Sequence, residues 1–358
     1  MPSILLYGAY GYTGTLIARE AARQNIPLLL AGRKLAPLQQ LAEETGFPYL
    51  RISLEDLQTK ALPPEMNGIK VVLHAAGPYV ETAHPMMKTC LKHGLHYLDI
   101  TGEWRVFMDL ADMDEAAKDR NIMILPGTGF DVVPSDCLAA FLHQQLPSAT
   151  HLELAIRTDG GLSRGTAVTS VVHAKDGSRS RVNGELVKEK AAQFVKTIPF
   201  SVGKYQAASI PWGDIVTSWY STGIPNIRVY AAQPPKMIKQ MKRMAGLSWV
   251  LRIPGITALI RDRIIKSITG PDETTLKEKT SEVWGKVWND SGVQVEARVI
   301  GPQTYALTAL TSIYIANQTV EGNWKPGFQT PSSAYGADLI LEACEAKREL
   351  QEVSVQSE

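Results

Sequence analysis

Along the first third of the chain, short apolar runs alternate with stretches in which apolar residues recur every three or four positions. The runs at 4–7, 28–31, 49–52, 71–74, 96–100 and 122–125 are too short for helices and read as strands buried on both faces. Between them, 16–23, 35–45, 81–93 and 108–119 carry helical periodicity. This alternation predicts an α/β fold with a parallel sheet. Right-handed crossovers make it a doubly wound Rossmann sheet.

The pattern changes near residue 148. Strand-like runs follow at 152–157, 215–220, 227–231, 281–288 and 293–300, with a helix expected over 165–173. They predict an inserted second α+β domain. Helical periodicity returns at 305–317 and again at 332–348, which Thr330-Pro331-Ser332 opens; the polar tail from 349 is expected to fray. The resulting division is a Rossmann domain over 1–148, a substrate domain over 149–318 and a segment, 319–358, that packs back on the first domain.

Chemistry enters at the junction of the first strand and helix, Gly8-Ala9-Tyr10-Gly11-Tyr12-Thr13-Gly14. A GxxGxxG turn between strand and helix lets a pyrophosphate approach the main chain, with the first helical N–H groups facing it. Gly8, Tyr10, Gly11, Tyr12, Thr13 and Gly14 are therefore candidate dinucleotide contacts. The second strand ends Ala31-Gly32-Arg33-Lys34, where an enzyme that uses NAD usually places an acid for the ribose 2′-hydroxyl. Arg33 and Lys34 instead favour a 2′-phosphate, hence NADP. The structural alternative is a solvated basic helix start.

The fourth strand ends Ala75-Ala76-Gly77-Pro78-Tyr79, small residues suited to a cofactor lying over the sheet edge, with a phenol beyond them. Beyond the next two strands come Asp99-Ile100-Thr101-Gly102-Glu103 and Gly127-Thr128-Gly129-Phe130-Asp131. Gly127 and Gly129 allow close approach to a flat ring. Ser135 and Asp136 read as caps of a helix over 137–144. No YxxxK motif is present, so a proton donor must be sought elsewhere. The candidates are Tyr79, then Asp131 and Glu103, then His173 of the second domain. Each could equally be structural. His74, inside a strand, reads as a satisfied structural histidine.

Composition narrows the picture modestly. Apolar residues make up 44% and charged residues 20%, ordinary for a globular chain. A formal net charge of +1 gives no field directed at nucleic acid. Three cysteines, without zinc or redox spacing, and the absence of a leader-like N-terminus lead to an expectation of a cytoplasmic protein. One stretch departs from this balance. Residues 236–266 hold eight Lys or Arg against one acid, Asp262, interleaved with apolar residues and Trp249. Such a segment suits a membrane surface, giving peripheral association, or an acidic carrier protein. It equally suits helices with packed apolar faces and solvated lysines. A homodimer is left open.

Taken in order, Gly-Ala-Tyr-Gly-Tyr-Thr-Gly, Ala-Gly-Arg, Ala-Ala-Gly-Pro-Tyr, Tyr-Leu-Asp-Ile-Thr-Gly-Glu and Gly-Phe-Asp-Val-Val-Pro-Ser-Asp resemble the saccharopine dehydrogenase-like oxidoreductases. The likeness is greatest to the bacterial branch that includes the trans-acting enoyl reductases. It is dense over 4–140 and thinner afterwards, with echoes at Gly165-Thr166-Ala167 and Gly327-Phe328-Gln329-Thr330-Pro331. The resemblance implies an NADP-binding Rossmann domain, an inserted domain that closes the substrate cleft and a C-terminal return. In the enoyl reductase branch it implies reduction of a C=C bond on a carrier-bound or apolar small-molecule substrate. The Gly-Phe-Asp-x-x-Pro-Ser-Asp form departs from saccharopine-forming enzymes, which puts lysine metabolism in doubt. Two alternatives stand beside it. One is a C–N oxidoreductase of amino acids or imines, for which Arg157, Arg164, Arg179 and Arg181 could bind carboxylates. The other is a non-catalytic NADP sensor.

Overall fold

The computed structural model describes residues 2–159, 178–246 and 270–355. Its elements begin with β1 (Ile4–Tyr7), α1 (Tyr12–Arg23), β2 (Leu28–Gly32), α2 (Leu35–Thr45), β3 (Tyr49–Arg51) and α3 (Leu54–Thr59). They continue with β4 (Val71–His74), α4 (Tyr79–His93), β5 (His96–Asp99), α5 (Trp104–Ala111), α6 (Asp114–Asp119) and β6 (Met123–Leu125). These strands pair in parallel in the order β3-β2-β1-β4-β5-β6. Every residue of β1, β2, β4, β5 and β6 is buried, as a sheet covered on both faces requires. Tyr7 stands level with Ala31 on one side and His74 on the other. The chain turns back between β1 and β4, the switch point at which ligands of such sheets bind. Helices α1, α4 and α5 start earlier than the periodicity indicated, α4 at buried Tyr79 and α5 at Trp104 with Val106 and Phe107 already buried in its first turn.

The middle of the chain holds α7 (Val133–Gln145), β7 (His151–Thr158), β8 (Ser178–Val182), β9 (Glu185–Glu189), β10 (Val195–Phe200), β11 (Gly203–Ser209) and α8 (Asp214–Thr222). It goes on through β12 (Asn226–Ala232), α9 (Pro235–Gly246), α10 (Glu273–Glu278), β13 (Thr280–Trp288) and β14 (Val293–Pro302). The mixed sheet runs β10-β11-β12-β7-β13-β14, with β8 pairing β12 and β9. Helix α7 packs on it closely. A Cβ on Gly285 would meet Leu142 at 2.7 Å and Leu138 at 3.1 Å. The strand expected at 215–220 is helical. Its Ile, Val, Thr, Trp and Tyr mimic strand composition, but Gly213 and a left-handed Gly223 (φ 71) delimit a helix with Ile215 and Val216 buried. The helix expected over 165–173 lies outside the described residues.

The last elements are α11 (Thr304–Val320), β15 (Gly327–Phe328), α12 (Pro331–Tyr335), α13 (Leu339–Ala343) and β16 (Lys347–Val355). Strand β15 pairs in parallel with β6 and becomes the seventh strand of the first sheet. Strand β16 pairs antiparallel with β14 and ends the second sheet. The single helix expected over 332–348 is therefore replaced. Gly336 (φ 88) stops α12, and the segment expected to fray is a paired strand. Two compact units result: 1–133 with 305–344, and 134–304 with 345–358. Periodicity had set the divisions at 148 and 318; α7 instead belongs wholly, but for Val133, to the second unit, and α11 to the first, but for Thr304. Among the described residues no helix is long and apolar enough to cross a membrane, and no three His, Cys, Asp or Glu side chains could hold a metal ion together.

Candidate cofactor and active site

At the end of β1 the chain can turn only because side chains are missing. Gly8 has φ 86, and a Cβ there would lie 2.8 Å from the Ala76 Cβ and 2.9 Å from the Ala75 carbonyl. A Cβ on Gly14 would lie 2.4 Å from the Gly8 oxygen, so α1 is drawn hard against the turn. Gly11 is the N-cap residue; its N–H donates to the Gly8 carbonyl at 3.0 Å, and its carbonyl accepts from Thr15 at 2.8 Å. No side chain caps α1, and its first turn holds no acid. First-turn amides have no partner inside their own helix, so the start of α1, at Thr13 and Gly14, presents N–H groups suited to an anion. The Tyr12 ring stands edge-on to Tyr305 at 5.0 Å.

Beside this turn, the Tyr10 ring lies over Gly32, where a Cβ would come within 2.5 Å of it. Arg33 and Lys34 follow and are both exposed, with no acid at the end of β2. Burial raises the Tyr7 phenol above its usual range, and the Arg33 charge partly offsets this. Both the uncapped helix and the cation at β2 fit a phosphorylated dinucleotide.

The third part of the edge lies beyond β4, β5 and β6. Helix α4 also begins here, but its N-terminus is occupied from within. Glu103, 4% exposed, accepts the amide hydrogens of Tyr79 at 3.2 Å and Val80 at 3.1 Å. Pro78 is the N-cap residue and Gly77 is exposed at the tip of the loop. The Tyr79 phenol turns inward and donates to the His74 carbonyl at 3.2 Å. Burial, with the charges of Asp99, Glu103 and Asp131, holds it well above the ordinary tyrosine range. The ring packs edge-on against His74, which is fully buried and pushed down to about 3 by burial. His74 Nε2 lies 3.0 Å from the Thr82 hydroxyl.

Asp131 is half-buried. Its Oδ2 and Cβ both lie 2.8 Å from where a Cβ on Gly102 would stand, so Gly102 makes room for this carboxyl. Burial, reinforced by the Glu103 charge, raises Asp131 to about 7. Asp99 anchors the layer beneath. It accepts from the Tyr97 hydroxyl at 2.7 Å and from the amides of Gly127 at 2.9 Å and Thr101 at 3.0 Å, and burial raises it to about 6.

The loop that carries Asp131 is fastened by hydroxyls of α11. Thr308 accepts from the Phe130 amide at 3.0 Å, Thr311 donates to the Thr128 carbonyl at 2.7 Å, and Ser312 lies 3.0 Å from the Thr128 hydroxyl. A Cβ on Gly129 would strike Thr308 at 2.7 Å, so this glycine serves helix packing rather than only an open ring site. Gly127 (φ 77) packs on Val132 and Phe107. Sequence reasoning missed Asp99 and the α11 hydroxyls. Their signal was an acid ending a buried strand, and Thr304, Thr308, Thr311 and Ser312 recurring at helical spacing. Ser135 and Asp136 are not caps, because α7 starts at Val133; Asp136 instead accepts from Ser221.

The remaining candidates fall elsewhere. His173 and Arg164 lie outside the described residues. Arg157 is 5% exposed and donates to Asp159 at 2.7 Å, with Glu282 3.7 Å from its Nε. Arg181 donates to the carbonyls of Ile215 at 2.8 Å and Gly184 at 2.5 Å. Of the basic stretch 236–266, the residues to 246 are described, and they belong to α9.

Comparison with known proteins agrees with this geometry. Residues 4–125 match the family model described as the saccharopine dehydrogenase NADP binding domain. The chain is 31% identical over 162 residues to the mouse saccharopine dehydrogenase-like oxidoreductase, covering 40% of this chain and 38% of that protein. It is 30% identical over 158 residues to the trans-acting enoyl reductase of Mycobacterium ulcerans, covering 42% of this chain and 38% of that protein. The matches thus span under two fifths of those relatives. Apo saccharopine dehydrogenase (L-Glu forming) from Saccharomyces cerevisiae superposes with a TM-score of 0.66 over 98% of this chain and 100% of its own, at 13% identity, which is a likeness of fold.

Proposed function

With residues 4–125 forming an NADP-binding domain of the saccharopine dehydrogenase type, we propose that the chain is an NADPH-dependent oxidoreductase that reduces an activated C=C bond of an apolar or carrier-bound substrate. When bound, the cofactor supplies hydride. The uncapped α1 amides would hold its pyrophosphate, with Gly8, Gly11 and Gly14 keeping the backbone accessible; Arg33 and Lys34 would hold the 2′-phosphate, and Ala75, Ala76, Gly77 and Pro78 would line the site.

The observation that carries the reading is Asp131, a carboxyl at the cofactor edge raised to about 7. Saturating a polarised double bond adds hydride at one carbon and a proton at its neighbour. A carboxyl protonated near neutrality can donate that proton. Glu103 is held as an acceptor by two helix amides, and its charge adds to the burial that raises Asp131. We assign the proton to Asp131 rather than Tyr79, whose hydroxyl is committed to the His74 carbonyl.

Two of the four arginines expected to bind the carboxylates of an amino-acid or imine substrate, Arg157 and Arg181, hold partners within their own unit, which counts against that substrate. The relative named as a trans-acting enoyl reductase supports the C=C reading. The test is NADPH oxidation against a panel of 2-enoyl thioesters and of amino acid–oxoacid pairs. Turnover with enoyl thioesters is expected. Turnover only with the amino acid–oxoacid pairs would replace the reading, and cofactor binding without any turnover would favour a sensor.

A further inference from the structure

Helix α9 carries a second kind of surface. Ile238 is buried against Ala192 and Ala208, and Met241 packs on the same cluster. At about 100° per residue these two positions fix the inward face. Lys236, Lys239 and Arg243 then occupy the opposite arc and Lys242 its border, about 40° from Ile238, and all four are exposed. Along the axis they span roughly 10 Å. Two further cations flank them. Lys190 lies two residues from Ala192, and Lys204 lies on the same face of the β10–β11 hairpin as Ala208, by strand alternation. Among the described residues none of these six side chains has an ion-pair or hydrogen-bond partner for its charged group. Between 186 and 246 the acids in the sequence are Glu189 and Asp214, both buried, with exposed Glu185 just before that span. A chain of net charge +1 therefore concentrates positive charge on one flank.

We propose that this flank docks the protein electrostatically on an anionic lipid surface. The apolar side of α9 is already seated in its own unit, so the helix cannot insert as a free amphipathic helix would. What remains among the described residues is a layer of cations with scattered exposed apolar neighbours, Met237 on the helix and Val202 beside Lys204. A protein partner would need an apolar, shape-matched core at its interface. A bilayer of acidic headgroups needs only charge. Binding of this kind is weak, reversible and screened by salt, with each cation contributing about a fivefold factor to partitioning.

Sedimentation of the full chain with vesicles tests this, comparing phosphatidylcholine alone with mixtures holding about one third phosphatidylserine. The wild type should sediment with the anionic vesicles only, and release at high salt. Lys236→Glu with Lys239→Glu and Lys242→Glu should lower binding at least about a hundredfold while leaving NADPH affinity unchanged. Lys239→Gln, a milder change, should lower it about fivefold. No binding to anionic vesicles, equal binding to phosphatidylcholine, or undiminished binding by a folded triple variant would overturn the proposal. Retention on immobilised polyglutamate without vesicle binding would also overturn it, in favour of an acidic protein partner.

Discussion

Glu103 Oε1 accepts the backbone N–H of Tyr79 at 3.2 Å, across 24 residues of sequence. Its second oxygen takes the next amide, that of Val80, at 3.1 Å. The first sheet therefore presents two helix N-termini at one edge. The protein's own carboxylate fills that of α4, and that of α1 is left without a side-chain cap. Glu103→Ala should leave one buried and one part-buried amide without an acceptor and cost about 2–3 kcal/mol in urea unfolding. Glu103→Gln keeps an acceptor and should cost about half as much. By removing the charge it should also lower the Asp131 pKa.

Asp131 sets a pH dependence of stability. Its folded pKa, about 7, lies above the ordinary carboxylate value of 3.8. Over the interval between them the folded state binds more protons than the unfolded state, so stability from this group falls as pH rises through it. The full difference is on the order of 2–4 kcal/mol. Asp131→Asn should therefore stabilise the protein at pH above the folded value and change little in acid. Thermal melts across pH check this; an equal shift at all pH values would remove the raised carboxyl from the account.

Arg33 should distinguish the two nicotinamide cofactors. Exchange for Asp places a repelling charge where the 2′-phosphate is assigned. NADPH affinity should fall by at least about a hundredfold, with NADH affinity changed only slightly. Titration calorimetry measures both, and equal losses would withdraw the phosphate assignment.

The glycines of the turn should separate folding from binding. Gly14→Ala drives a Cβ to 2.4 Å from a backbone carbonyl that cannot swing away. We expect a loss of about 2 kcal/mol or more, despite the better helix propensity of alanine. At Gly11 the corresponding distance is 3.2 Å, a contact that a small shift relieves. Gly11→Ala should cost under about 1 kcal/mol, yet weaken NADPH at least about tenfold by placing a methyl at the helix mouth.

The first unit was legible in the sequence because its signals are local. Strand runs end in glycine or small residues, helices repeat every three or four positions, and Arg33 stands where the ribose acid normally does. The second unit was less so. β-Branched and aromatic residues at 215–220 suit a strand, and only the flanking Gly213 and Gly223 mark the helix. Glu103 and Asp131 were visible as candidates, but not their division of labour. That depends on a helix terminus reached across 24 residues, and on the space left by Gly102. The α11 hydroxyls fasten a loop more than 170 positions away, a distance no periodicity reports.

The most direct measurement is the rate of NADPH oxidation by a 2-enoyl thioester across pH, for the wild type and Asp131→Asn. The account predicts a wild-type rate that falls as pH rises through about 7, and a variant at least about a hundredfold slower with no such transition. A variant that keeps the wild-type rate and pH profile would contradict it.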